Sequence, residues 1–193
     1  MVLRYVLFYK PYHVLSQFSG EPRHETLSFF DLPKNIYSVG RLDKDSEGLL
    51  LLTDDGKLKH RLTEPSYAHQ KVYLAQVEGS PSAKALAAMR NGITLDGKPT
   101  RPTTIRVLTR EPAIPERVPP IRVRKTIPTT WLEIGLTEGR NRQIRRMTAA
   151  VGHPTLRLLR IRILFLSLDG LQPGIWRNLT GEELRKLKEL LHL

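Results

Sequence analysis

The 193 residues contain no cysteine, which excludes a disulfide framework and any thiolate metal site. The six histidines show no metal-ligand spacing, so zinc has no evident site. No apolar stretch reaches the length of a membrane span. From Met1 to Tyr12 the apolar residues are interrupted by Arg4 and Lys10, unlike the apolar core of a signal peptide. The expectation is a soluble cytoplasmic protein with no membrane partner. Neither a P-loop nor a dinucleotide-type glycine pattern is present. Acidic residues are also few: 19 Asp and Glu stand against 31 Lys and Arg, a formal net charge of +12. That balance favours a polyanionic partner, nucleic acid before anionic membrane.

The surplus is concentrated. From Arg117 to Arg162 there are ten arginines and one lysine against Glu133 and Glu138, nine of the twelve net charges. Solubility alone does not require arginine to dominate lysine in this way, whereas phosphate recognition favours it. The length suggests one domain, with room for two lobes, that buries about 70% of the unfolded chain's surface.

Strands are expected over Val2 to Tyr9, Ile36 to Val39, Lys71 to Gly79, Thr130 to Thr137 and Leu158 to Leu168. In the third, Val72 and Leu74 face one side and Tyr73, Ala75 and Val77 the other. In the last, Arg160 and Arg162 share a face. Short helices are expected from Thr26 to Leu32, with Phe29 and Phe30 packing inward, and from Lys57 to Leu62, capped by Asp54 or Asp55. Ser80 is expected to cap a helix with Pro81 at its first position and Asn91-Gly92 at its end. Ile93 to Leu108 reads as a hairpin about Asp96-Gly97. A helix from Asn141 or Arg142 to Val151 follows, with Ile144, Met147 and Val151 as its core stripe. Thr180-Gly181-Glu182-Glu183 is a capping box for a final helix carrying Leu184, Leu187 and Leu191. The five prolines between Thr109 and Thr129 exclude regular structure. That loop, with Arg117, Arg122, Arg124 and Lys125, is expected to be mobile and to order when its nucleic acid binds. The order of elements lacks a regular βαβ repeat, which gives an α+β class with a largely antiparallel or mixed sheet.

The chemistry centres on Gly40-Arg41-Leu42-Asp43-Lys44-Asp45-Ser46-Glu47-Gly48, which runs into Leu49-Leu50-Leu51-Leu52-Thr53. An apolar run bounded by Gly48 and Asp54-Asp55-Gly56 reads as a buried strand. A carboxylate delivered to the end of such a rigid support is placed where sites are built, although Asp also serves simply to cap turns. A calcium loop beginning at Asp43 fails downstream, because Leu51 and Asp54 stand at its ninth and twelfth positions and the flanks are not helical.

GRLDKDSEGLLLLTDDG resembles the GRLD motif of pseudouridine synthases of the RsuA/RluB/RluE/RluF branch. The resemblance continues in order through Lys10-Pro11, Lys71-Val72-Tyr73-Leu74 and Glu138-Gly139-Arg140-Asn141-Arg142-Gln143-Ile144-Arg145-Arg146-Met147. IRVRKTIPTTW is most similar to the RluE type, which acts on large-subunit ribosomal RNA. His13 departs from the glycine of the family's KPxG pattern. The resemblance implies one catalytic domain over residues 1–193, without an S4 domain. It implies the pseudouridine synthase fold, a mixed, mainly antiparallel sheet whose two lobes flank an RNA-binding cleft. It further implies a monomer that needs no cofactor and no metal and has ribosomal RNA, 23S rRNA first, as its partner. Asp43 matches the catalytic aspartate, Tyr73 the tyrosine that stacks on the target base, and Arg145 the basic residue that pairs with the aspartate. Arg41, Arg140, Arg142 and Arg146 are candidate contacts to the RNA backbone. The competing readings are a catalytically silent RNA-binding or ribosome-assembly protein and a synthase acting on small-subunit rRNA.

Overall fold

Segments whose apolar residues recur at every second position and segments where they recur at every third or fourth become strands and helices in turn. In the computed structural model, which describes residues 2–121 and 126–193, these are β1 (Tyr5–Lys10), β2 (Tyr37–Ser38), β3 (Glu47–Thr53), α1 (Gly56–Thr63), β4 (Lys71–Glu78), α2 (Ala83–Asn91), β5 (Thr94–Leu95), β6 (Lys98–Pro99), β7 (Thr104–Val107), β8 (Thr129–Leu136), α3 (Gln143–Ala150), β9 (Thr155–Ile163), β10 (Leu166–Ser167), β11 (Trp176–Asn178) and α4 (Gly181–Leu190). The α+β class expected from the sequence is the class observed. The elements gather into two compact units: Met1–Ala68 with Phe165–Leu193, and His69–Leu164.

In the first unit β1 lies between β11 and β3, antiparallel to both, and β2 pairs with β3. Every residue of β1 and β3 is buried. The register sets Val6 opposite Leu52 and Phe8 opposite Leu50. These four pack with Val14, Leu27 and Ile36, against which Phe30 and Trp176 also lie. Leu7, Tyr9, Leu49 and Leu51 alternate to the other face and are buried as well. Burying each such leucine contributes about 1.5–3 kcal/mol, so β3 is a firm support. Asp55 caps α1 by accepting from the Leu58 N–H at 3.0 Å. Residues 26–32 form only a three-residue 3-10 turn, Leu27–Phe29. One turn has no continuous face, so Phe30 alone goes inward, 4.9 Å from the Phe8 ring, while Phe29 is 68% exposed, contrary to the expectation.

In the second unit β4 lies between β9 and β8, and β7 flanks β8, all antiparallel. Ala75 and Val77 join Leu132, Ile134 and Leu136 of β8 in a core covered by Leu86 and Met89 of α2 and Ile144 and Met147 of α3. Three expectations need correction. The cap of α2 is Ser82, whose Oγ accepts from the Ala85 N–H at 3.2 Å, not Ser80. The hairpin about Asp96-Gly97 is only β5 and β6, because β7 leaves it to pair with β8. Arg160 and Arg162 do not share a face: Val72 opposes Arg162 but Tyr73 opposes Arg160. The extra residue Ile161 makes a bulge that leaves Arg160 buried and Arg162 exposed.

The capping box of α4 forms as expected, with Thr180 Oγ1 accepting from the Glu183 N–H and Glu183 accepting from the Thr180 N–H. Both prongs of Arg177 also donate to Glu183 at 2.7 Å, and these bonds hold its carboxyl below the ordinary glutamate value. A depressed carboxyl contributes stability above the unfolded-state pKa and loses it as pH falls through the folded-state value. Glu183→Gln is therefore expected to destabilise the protein most above about pH 5. The gap to wild type should close as pH drops below about 4. Urea unfolding across that range measures it, and a pH-independent gap would contradict this assignment.

Candidate active site

Asp43 stands on the loop leading into β3, half exposed. Four hydrogen bonds around it fix the backbone. The buried Ser16 donates its Oγ to the Leu42 carbonyl at 2.8 Å and accepts from the Leu42 N–H at 3.0 Å. A single hydroxyl thus satisfies both backbone groups of the residue before Asp43. After Asp43, the Lys44 carbonyl accepts from the His13 N–H at 2.8 Å. The Asp43 carbonyl itself accepts from the Ser46 N–H at 3.0 Å, closing a turn that runs straight into β3. Behind it Lys10 is fully buried, and its Nζ donates to the Pro11 and Val14 carbonyls at 2.8 and 2.7 Å. The result is a carboxylate carried on a fixed backbone and not enclosed.

Tyr73 and Arg145 belong to the other unit. Tyr73 lies on β4, half-buried against the second core, opposite Ile134 and Arg160. Two residues earlier, burial and then the positive charge of Arg160 push the Lys71 pKa below the ordinary lysine value. Arg145 projects from α3, half-buried, and its Nη1 donates to the Thr155 carbonyl at 3.2 Å.

The stretch from Glu138 to Gln143 organises the start of α3. Arg142, just before the helix, is in the left-handed region with φ 48° and makes no side-chain cap. Gln143, buried, accepts from the Arg140 N–H at 3.0 Å and donates to Glu138 at 2.6 Å. Glu138 also accepts from the Arg101 N–H at 3.0 Å. Sequence reasoning saw this stretch as a source of charge and missed Glu138 and Gln143 as its framework.

Of the four arginines expected to meet RNA, Arg41 and Arg142 are exposed. Arg140 and Arg146 are brought together on the β5–β6 hairpin instead. Arg140 donates to the Lys98 carbonyl at 3.0 Å and to the Pro99 carbonyl. Arg146 makes a two-pronged pair with Asp96 at 2.6 and 2.8 Å, which lowers the Asp96 pKa and raises that of Arg146. In the proline-rich loop, Arg157 of β9 donates to the Pro115 carbonyl at 2.8 Å, and Arg117 turns back onto the carbonyls of Pro119 and Pro120. Arg122, Arg124 and Lys125 lie outside the described residues. At the base of this loop a groove of about 400 Å³ is lined by Gln76, Arg110, Glu111 and Trp131 among others. Among the described residues no cluster of His, Asp and Glu could hold a metal ion, and no helix is long and apolar enough to cross a membrane.

The family model described as RNA pseudouridylate synthase matches residues 4–150. Ribosomal large subunit pseudouridine synthase E of Xanthomonas campestris pv. campestris is 57% identical over 174 residues, covering 89% of this chain and 93% of that protein. The protein of the same name from Vibrio vulnificus is 46% identical over 175 residues, covering 91% and 74%. A crystal structure described as a pseudouridylate synthase aligns with a TM-score of 0.80 at 32% identity, over 96% of this chain and 74% of that one.

Ser16→Ala would leave both backbone groups of Leu42 without their partner. A loss of about 1–3 kcal/mol is expected in urea unfolding. An unchanged midpoint would mean that the loop does not depend on this hydroxyl.

Proposed function

The chain belongs to the RNA pseudouridylate synthase family, and on that premise we propose that it converts a uridine of large-subunit ribosomal RNA to pseudouridine. The relatives named for that activity are 46–58% identical and align with about nine-tenths of this chain, which favours the large subunit over the small. The observation that favours an enzyme over a silent binder is the Asp43 turn. A carboxylate repels phosphate, so a passive RNA-binding surface has no use for one anchored by Ser16 and His13 and left accessible.

The reaction breaks the N1–C1′ bond, turns the base and joins C5 to C1′. N1 takes up a proton and C5 releases one. No electron is gained or lost, so the chemistry calls for no redox cofactor. An ionised Asp43 can attack C1′ or C6, or remove the C2′ proton. The target base must leave its stack to be reached, and an aromatic wall offsets the lost stacking, the role assigned to Tyr73. Arg145 is assigned the cationic role, since a nearby guanidinium favours the charged form of a carboxylate. Arg41 and Arg142, both exposed, are assigned to phosphates. Arg140 and Arg146 are already engaged by their hairpin partners, which makes them the weaker candidates for phosphate. In this reading residues 1–193 form one catalytic domain, which acts as a monomer in the cytoplasm.

Asp43→Asn is expected to abolish isomerisation while leaving folding and RNA affinity nearly unchanged, because an amide cannot supply the carboxylate chemistry. Tritium release from 5-labelled uridine in large-subunit rRNA transcripts is the assay. Substantial turnover by the folded variant would sink the assignment.

RNA affinity should fall steeply with salt. Arg142→Ala is expected to reduce the magnitude of the log–log slope by about 0.7–0.9. Filter binding from low to moderate salt reads it, and an unchanged slope removes Arg142 from the phosphate contacts.

A further inference from the structure

We propose that Tyr12 and His13 form a stacking platform for an unpaired RNA base flanking the uridine presented to Asp43. This rests on the reaction proposed above. The two rings lie 4.7 Å apart between centroids and within 17° of parallel. His13 is exposed, and its backbone is left-handed with φ 67°. Glycine, asparagine or aspartate adopt that conformation more readily. The fold needs only the N–H of this residue, which donates to the Lys44 carbonyl at 2.8 Å, and glycine would supply that N–H with less strain. The ring is therefore surplus to the backbone's needs, and strained positions that carry exposed rings are candidates for function.

Position gives the ring its role. Lys44 follows Asp43 directly, so a single hydrogen bond separates the platform's backbone from the reacting loop. The turn that carries the platform is clamped by the buried Lys10 through the Pro11 and Val14 carbonyls. Extruding the target uridine deprives its neighbour of a stacking partner. A rigid pair of rings beside Asp43 replaces that partner, and it tolerates any base, because every base has a π-face. The exposed Arg41 in the same loop and the net charge of +12 favour a nucleotide over an apolar ligand here.

His13→Gly tests the platform without straining the backbone. The probe is large-subunit rRNA transcribed in vitro. KM and the dissociation constant are each expected to rise roughly tenfold, with little change in kcat. The salt slope should stay that of wild type, since a stacking contact releases no counterion. His13→Asn, which keeps the left-handed backbone and a polar side chain, should lose as much as His13→Gly. Wild-type affinity in His13→Gly overturns the proposal. A shallower salt slope assigns the residue to a phosphate and also overturns it. Wild-type affinity in His13→Asn alone assigns it to a hydrogen bond, with the same result. If the wild-type protein releases no tritium from this RNA, the proposed reaction fails, and the binding comparison still decides the platform.

Discussion

Burial of Leu49, Leu50, Leu51 and Leu52 from both sides is the constraint on which the candidate site depends. Each leucine contributes about 1.5–3 kcal/mol, against about 1 kcal/mol for an ordinary hydrogen bond. Burial therefore decides where β3 lies, and hydrogen bonds decide only how the loop before it is shaped. The two levels meet at Asp43. Ser16 and His13, which hold its loop, both follow β1, and β1 is the antiparallel partner of β3. The loop is thus tied to two strands whose every residue is buried.

The arginine-rich stretch looks uniform by composition and is divided in the structure. Arg117, Arg140, Arg145 and Arg157 donate to backbone carbonyls. A carbonyl is neutral, so such a bond holds a guanidinium to the fold without cancelling its charge, although Arg140 also pairs with Glu138 at 3.4 Å. Arg146 meets the carboxylate of Asp96 directly, at 2.6 Å. An arginine can therefore be structural and still contribute to the field that attracts a polyanion. Net charge reports that field and says nothing of which side chains make contact.

What the sequence made legible was local or periodic. The four-leucine run, the alternation over Lys71 to Gly79 and the Thr180 capping box each carry their pattern within a few residues, and each was found in place. Asp43 stood out because it abuts such a run. Ser16 did not, because its two bonds to Leu42 span 26 residues and leave no periodic trace. Ser80 and Ser82 flank the same proline, and only the backbone distinguishes which one caps. The bulge at Ile161 is a property of pairing with β4, so no reading of β9 alone separates Arg160 from Arg162. The roles of Glu138 and Gln143 were hidden for a related reason, since charge counting takes no account of what a side chain bonds.

The connectivity of the first unit bears on how the chain is made. The pairings of β9 with β4, β4 with β8 and β8 with β7 all fall within His69–Leu164. β1, in contrast, has one partner nearby in β3 and another, β11, far along the chain, with Val6 paired to Asn178. During synthesis the middle segment is complete while the outer edge of β1 still waits for its last partner. That wait exposes a strand edge, and it lengthens the contact order of one unit but not the other. The entropy of closing so long a loop grows only logarithmically, and a folded middle segment shortens it further. The order of translation thus favours a chain whose basic unit matures before the unit that carries Asp43.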